Sequence, residues 1–132
     1  MRNSIVSSDT DAVMTLLRQF GKAFNKGDVD GILACVTDDF EWRLAAGPDA
    51  PDGKVVRGKD AVRAALEDRD REIEEMRFSE TAVSIADGKV FGSFRATGRT
   101  RDGQSIDKRG IDIYEIRDGK IAVKDSYWKQ VG

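Results

Sequence analysis

Hydrophobic positions near the start of the chain recur at helical spacing: Val13, Leu16, Leu17, Phe20 and Phe24 share one stripe after "SSDTD". Ser8 and Asp11 have the spacing of a capping box and Gly27 supplies a stop, so a first helix should run to about Lys26. Asp28 can cap a short second helix carrying Ile32, Leu33 and Val36. In "DFEWRL" the period changes to two: Phe40, Trp42 and Leu44 alternate with Glu41 and Arg43, as in a strand with one buried face. The segment "AAGPDAPDGKVVRG" holds both prolines and reads as a loop. A third helix is predicted from about Asp60 to Met76, with Val62, Leu66, Arg69, Ile73 and Met76 on one stripe. Its outer face is a mixed-charge surface laced by pairs such as Glu67 and Arg71.

From Phe78 onward, strand-like runs are punctuated by Asp87-Gly88, Asp102-Gly103 and Asp118-Gly119, which read as three hairpin turns joining four antiparallel strands. Runs of about 13 residues would exceed about 40 Å if straight. A domain of this size is only about 35 Å across, so the strands must bend. Gly92, Gly98 and Gly110 are expected to mark the bulges or kinks. Three helices followed by a strongly bent antiparallel sheet give an α+β fold with the helices on the concave side. A helix laid across such a sheet leaves an internal pocket, the natural place for a ligand.

Composition narrows the function classes. A chain of 132 residues suits a single domain, residues 1–132, with 1–9 expected to be flexible. The net charge of −2 gives no drive toward nucleic acid or an anionic membrane. Cys35 is the sole cysteine and is read as a small core residue. The absence of histidine removes a histidine-based dyad and the commonest transition-metal ligand, and no metal or cofactor is expected. Neither a signal-peptide core nor a membrane-spanning run is present in the sequence, which makes a cytoplasmic location the default expectation. The basic residues Arg95, Arg99, Arg101, Lys108 and Arg109 are interleaved with Asp102 and Asp107 and have no glycine-rich phosphate loop, so they read as a solvated hairpin tip.

The stretch "RGIDIYEIRDGKIAVKDSYWKQ" carries the candidate chemistry, because Asp112 sits between two isoleucines. A two-residue turn at Asp118-Gly119 puts Asp112 opposite Asp125; a three-residue turn puts it opposite Lys124. The second register avoids facing carboxylates and sorts Ile111, Ile113, Ile121, Val123 and Tyr127 onto one face, so it is preferred. Asp112, Tyr114 and Ile116 then share the other face with Ala122, Lys124, Ser126 and Trp128. Asp112 is either a partly exposed cross-strand ion pair with Lys124, the commoner outcome, or a desolvated carboxyl in an apolar hollow.

The phrases "AFNKGDVDGILACVTDDFEW", "VRGKDAVRAAL" and "IDIYEIRDGKIAVKDSYW", in this order, resemble the SnoaL-like, nuclear-transport-factor-2-like cone fold over roughly Asp11 to Trp128. That fold hosts isomerases, cyclases, hydrolases, dehydratases and proteins with no chemistry. Against ketosteroid isomerases, the resemblance places Asp112 at the protonated aspartate of the oxyanion hole and Trp128 at a pocket aromatic. Phe20 stands where that family has its tyrosine donor and Leu44 near its general base, so that mechanism lacks two groups. Against limonene epoxide hydrolases, Trp42 and Leu44 replace the tyrosine and asparagine that hold water, Ser126 stands near the catalytic aspartate, and Val90 and Gly92 replace its arginine and aspartate partners. SnoaL-type cyclases that use a histidine match poorly for want of one.

The expected ligand-binding residues are Leu17, Phe20, Phe24, Trp42, Leu44, Tyr114, Ser126 and Trp128, with Asp112 as the catalytic candidate. The resemblance implies a homodimer through the outer sheet face. Two functions follow: an acid–base enzyme of isomerase, cyclase or hydrolase type acting on an apolar carbonyl or hydroxyl compound, or a non-catalytic ligand-binding or association module.

Overall fold

The computed structural model describes residues 7–129, with side chains from Thr10 onward. The expectations for the first residues, including the capping role of Ser8, therefore rest on groups outside the described residues. Helix α1 (Ser7–Lys26) buries Val13, Leu17, Phe20 and Ala23, and Gly27 ends it at a φ of 66° that favours glycine. The Asp28 side chain accepts a 3.0 Å hydrogen bond from the Gly31 amide, capping α2 (Val29–Ala34) as its position suggests. Strand β1 (Val36–Leu44) follows, with Val36, Phe40 and Trp42 buried.

Two departures from the sequence reading have one cause. The expected loop contains a short strand, β2 (Lys54–Arg57), which pairs antiparallel with the outer edge of β1 and buries Val56. Helix α3 (Lys59–Glu72) stops before Met76, and Ile73 and Met76 begin strand β3 (Ile73–Ala86). In both places hydrogen bonds to a distant strand, from β1 in one case and β4 (Lys89–Thr100) in the other, outweigh weak local preference.

Strands β5 (Ser105–Arg117) and β6 (Lys120–Trp128) complete one sheet of order β2-β1-β6-β5-β4-β3. The four strands after α3 are successive antiparallel neighbours, as expected, and β1 joins them parallel to β6. The α+β arrangement of three helices on a bent sheet is thus observed, with the sheet mixed at the β1–β6 pair. Asp87-Gly88 and Asp118-Gly119 each form a two-residue turn with both residues at positive φ, the conformation whose twist suits a hairpin.

No register shift falls on the expected glycines themselves. Register shifts fall between Val36 and Glu41 on β1, between Ile73 and Glu75 on β3 next to the Met76–Gly98 pair, between Ser79 and Ala82 on β3, where Glu80 has a φ of 52°, and at Ala122 on β6. Gly92, Gly98 and Gly110 sit in regular pairings and serve close approach instead. A Cβ on Gly110 would come 2.6 Å from the Phe94 ring and 3.0 Å from Trp128, and one on Gly92 would meet Tyr114 at 3.2 Å.

The bulge at Ala122 also settles the hairpin. Arg117 pairs with Lys120 across a two-residue turn, yet beyond the bulge Tyr114 faces Lys124 and Asp112 faces Ser126. Neither uninterrupted register is present. The faces sort as the preferred register required from Lys124 onward, but Ile121 turns inward and is fully buried in the core. Ile111 and Tyr127, paired across β5 and β6, remain exposed on the outer face.

Candidate functional site

Sheet curvature leaves a cavity of about 270 Å³ between α1 and strands β3 to β6. Its aromatic wall is a run of edge-to-face contacts: Tyr114 on Phe20, Phe20 on Phe24, Phe24 on Phe78 and Phe78 on Phe94, with centroids 4.9 to 6.1 Å apart. At one point this apolar lining gives way to charge. Asp112 and Lys124 are only 4% and 8% exposed, and Lys124 Nζ lies 3.3 Å from Asp112 Oδ2. The Tyr114 hydroxyl donates to the same oxygen at 3.1 Å, and Lys124 donates to Ser126 Oγ at 3.1 Å.

Strand alternation explains why these groups converge. Asp112 and Tyr114 are two apart on β5, Lys124 and Ser126 two apart on β6, so all four point to the concave side. The ion pair that the sequence suggested is therefore present, but as a buried diagonal pair at the cavity wall and not as a partly exposed one. Burial pushes the Lys124 ammonium below its ordinary pKa, Asp112 opposes this, and Arg69 adds to the depression. Burial likewise drives the Tyr114 phenol well above 10, reinforced by the Asp112 charge. The ammonium also lies 5.3 Å from the Phe24 ring and 5.5 Å from that of Trp42, which compensates part of its lost hydration.

One atom in this cluster is left over. Asp112 Oδ1 is buried and has no hydrogen-bond partner among the described residues, although buried carboxylate oxygens are normally satisfied. The Trp42 and Trp128 indole nitrogens share that condition.

Of the expected residues, Leu17, Phe20, Phe24, Tyr114 and Asp112 line the cavity. Trp42, Leu44, Ser126 and Trp128 do not. Trp42 is buried behind Phe24 and Lys124, and Leu44 pairs with Lys54 at the β1 end. Ser126 lies beneath the Lys124 ammonium, and Trp128 packs on Phe94, 5.9 Å away, with Lys108 over its ring. The sequence reading missed Phe78, Phe94 and Val83 from β3 and β4, whose alternation was legible but whose distance from α1 was not. Lys124 appeared in it only as a partner for Asp112, whereas it is itself a wall of the cavity.

The remaining candidates are structural. Cys35 is buried, and burial raises its thiol pKa, which disfavours the reactive thiolate. Arg95 forms a two-pronged pair with Asp107 at 2.9 and 2.8 Å, Arg99 pairs with Glu74 and Glu75 of β3, Arg101 donates to the Asp70 carbonyl and Lys108 lies over the Trp128 ring, so most of the basic hairpin is tied to neighbouring protein groups. No group of side chains suited to holding a metal occurs among the described residues, and no described helix is long and apolar enough to cross a membrane.

Comparison with solved structures places the architecture. A candidate polyketide cyclase from Xanthomonas campestris superposes with a TM-score of 0.80 at 22% identity, covering 90% of this chain and 91% of that one. A candidate isomerase from Bacillus subtilis gives 0.77 at 21% identity, covering 98% and 90%. TerC, crystallised with polyporic acid, gives 0.75 at 17%, covering 89% and 92%. No curated protein matches the sequence. Residues 17–124, which span the cavity from α1 to Lys124, match the SnoaL-like domain, and the chain belongs to that family.

Proposed function

We propose that the protein binds a largely apolar small molecule bearing a carbonyl or hydroxyl group, and that Asp112 acts on it as a general base. The observation that carries this reading is the buried, unpartnered Oδ1 of Asp112, a residue that lines an aromatic cavity. Tyr114 and Lys124 both donate toward Oδ2, the role of an accepting carboxylate, which leaves Oδ1 to take a proton or a ligand hydrogen bond. The role suggested by ketosteroid isomerases, a protonated aspartate donating to an oxyanion, is replaced by an acceptor role. Lys124 is the cavity's candidate donor to a developing enolate oxygen, since charge appearing there meets a fixed ammonium in a water-poor site. The occurrence of the fold in a candidate cyclase and a candidate isomerase supports acid–base chemistry of this kind.

A second reading, a binding module without chemistry, is favoured by one observation: Asp112 and Lys124 neutralise each other. The homodimer through the outer sheet face belongs to either reading, and the exposed Ile111–Tyr127 pair supports it.

Deuterium exchange separates the two. Apolar cyclic ketones and enones, screened first for binding by tryptophan fluorescence, are incubated with protein in D2O and followed by proton NMR. Catalysis predicts exchange of the proton next to the carbonyl, reduced by about 10²-fold or more in Asp112→Asn, the usual worth of a positioned base. Compounds that bind without exchange above the buffer rate would establish the module instead.

A further inference from the structure

The cavity opens along the exposed edge of α1, where Arg18, Gly21, Lys22 and Asn25 contribute to its lining. Its charges do not balance. Among its described lining residues Arg18, Lys22 and Lys124 are positive and Asp112 alone is negative, and Lys124 is already committed to Asp112. Some cations elsewhere on this surface find carboxylates, as Arg57 does with Glu41, Arg63 with Asp30, Arg95 with Asp107 and Arg117 with Asp39, whereas Lys120 is satisfied by the Ala34 carbonyl and Lys108 by the Trp128 ring. Among the described residues Arg18 has only a 3.4 Å contact to the Met14 carbonyl, and neither it nor Lys22 has a carboxylate partner. Behind them the Arg69 guanidinium, over the rings of Phe24 and Phe78, adds further positive potential to the same wall.

Gly21 is the second observation. A glycine in a helix interior weakens the helix relative to alanine, and is justified when something must come close or when φ is positive. Here neither protein reason applies: φ is not in the left-handed region, and a Cβ would meet nothing within 4 Å. The missing methyl lies at the cavity edge, three residues after Arg18 and one before Lys22, and leaves open space beside both.

We infer that Arg18, Gly21 and Lys22 form an anion port: the ligand is an organic acid whose apolar body fills the aromatic cavity and whose anionic group, a carboxylate in the simplest case, rests against α1 at Gly21 between the two cations. This inference rests on the reading of the cavity as a small-molecule site and deepens it, because the ligand then carries two polar ends. Its charged end stays at the solvent edge, and its carbonyl or hydroxyl reaches Asp112 and Lys124. An uncharged analogue retains the apolar contacts and loses the port.

Two fluorescent probes with one skeleton test this on the full chain. 8-Anilinonaphthalene-1-sulfonate carries an anion; N-phenyl-1-naphthylamine lacks it. The wild type should bind the sulfonate more tightly, with a preference that shrinks as salt is added. Arg18→Gln combined with Lys22→Gln should weaken sulfonate binding about tenfold and change binding of the neutral probe by less than about twofold, since paired cations at a solvent edge act mainly on charge. Lys54→Gln, on β2 and away from the cavity, should leave both affinities alone. Gly21→Ala should raise Tm by about 3 °C through helix propensity and still weaken the sulfonate severalfold. Equal affinity for the two probes, or sulfonate binding untouched by the double substitution, would overturn the port while leaving the cavity reading standing. Failure of both probes to bind would overturn the two together.

Discussion

Replacing Lys124 with methionine isolates the energetics of the cavity floor. The substitution keeps most of the side-chain volume and removes the ammonium 3.3 Å from Asp112 Oδ2, in a pair that is 8% and 4% exposed. At an effective dielectric constant near 20, two charges at that distance attract by about 5 kcal/mol. Desolvating each ion costs several kcal/mol, so the intact pair contributes little net stability. That burial outweighs Asp112 in setting the direction of the Lys124 shift agrees with this balance. The single variant is different, because it leaves a buried carboxylate with Tyr114 as its remaining partner. It should lose about 3 to 5 kcal/mol, the usual cost of breaking a buried pair from one side. Asp112→Asn with Lys124→Met should recover at least about 2 kcal/mol of that loss, since contacting residues couple strongly. Urea unfolding monitored by circular dichroism, with all four corners of the cycle compared at equal m, provides the measurement. A loss below about 1 kcal/mol for Lys124→Met would be the behaviour of a solvent-screened pair and would refute the buried geometry. Strict additivity across the cycle would refute the coupling.

Two further outcomes follow from the scaffold. Gly98→Ala should cost about 2 to 3 kcal/mol in the same urea assay, because its Cβ would fall 1.9 Å from the Glu75 carbonyl oxygen, a backbone atom that moves only with the β3–β4 pairing. Burial pushes the Glu41 carboxyl up, but hydrogen bonds from Arg43 and Arg57 outweigh it and hold the carboxyl below its usual value. Its stabilising contribution is present above the unfolded value of about 4.3 and is lost as pH falls through the lower folded value. Glu41→Gln should accordingly flatten the acid limb of a stability-against-pH profile; an unchanged limb would show that Arg43 and Arg57 do not hold Glu41 in solution.

How far the chain could be read in advance depends on where the deciding interactions lie. The stripe of α1, its stop at Gly27, the Asp28 cap and the Asp-Gly turns are all set by residues within one or two turns of each other. These features were legible in the sequence, and with them the α+β order of helices before a bent sheet. Asp112 stood out for the same reason, as a carboxylate at odds with its apolar neighbours.

What the sequence could not decide is which distant residues meet. Local preference favoured continuing α3 through Ile73 to Met76, and pairing with β4 converted that segment to strand. The unpaired residue at Ala122 has no signature in "KIAVKDSYW", yet it turns Ile121 into the core and brings Lys124 beside Asp112. Trp42, Leu44, Ser126 and Trp128 were plausible cavity residues by type, but the cavity closes instead on Phe78 and Phe94, whose strands curve over α1. By itself the sequence determined the elements, their order and the odd carboxylate, since those depend on contacts a few residues apart. Only the tertiary structure decided the cavity, because sheet curvature sets which side chains face one another, and curvature arises from pairings summed over the whole sheet.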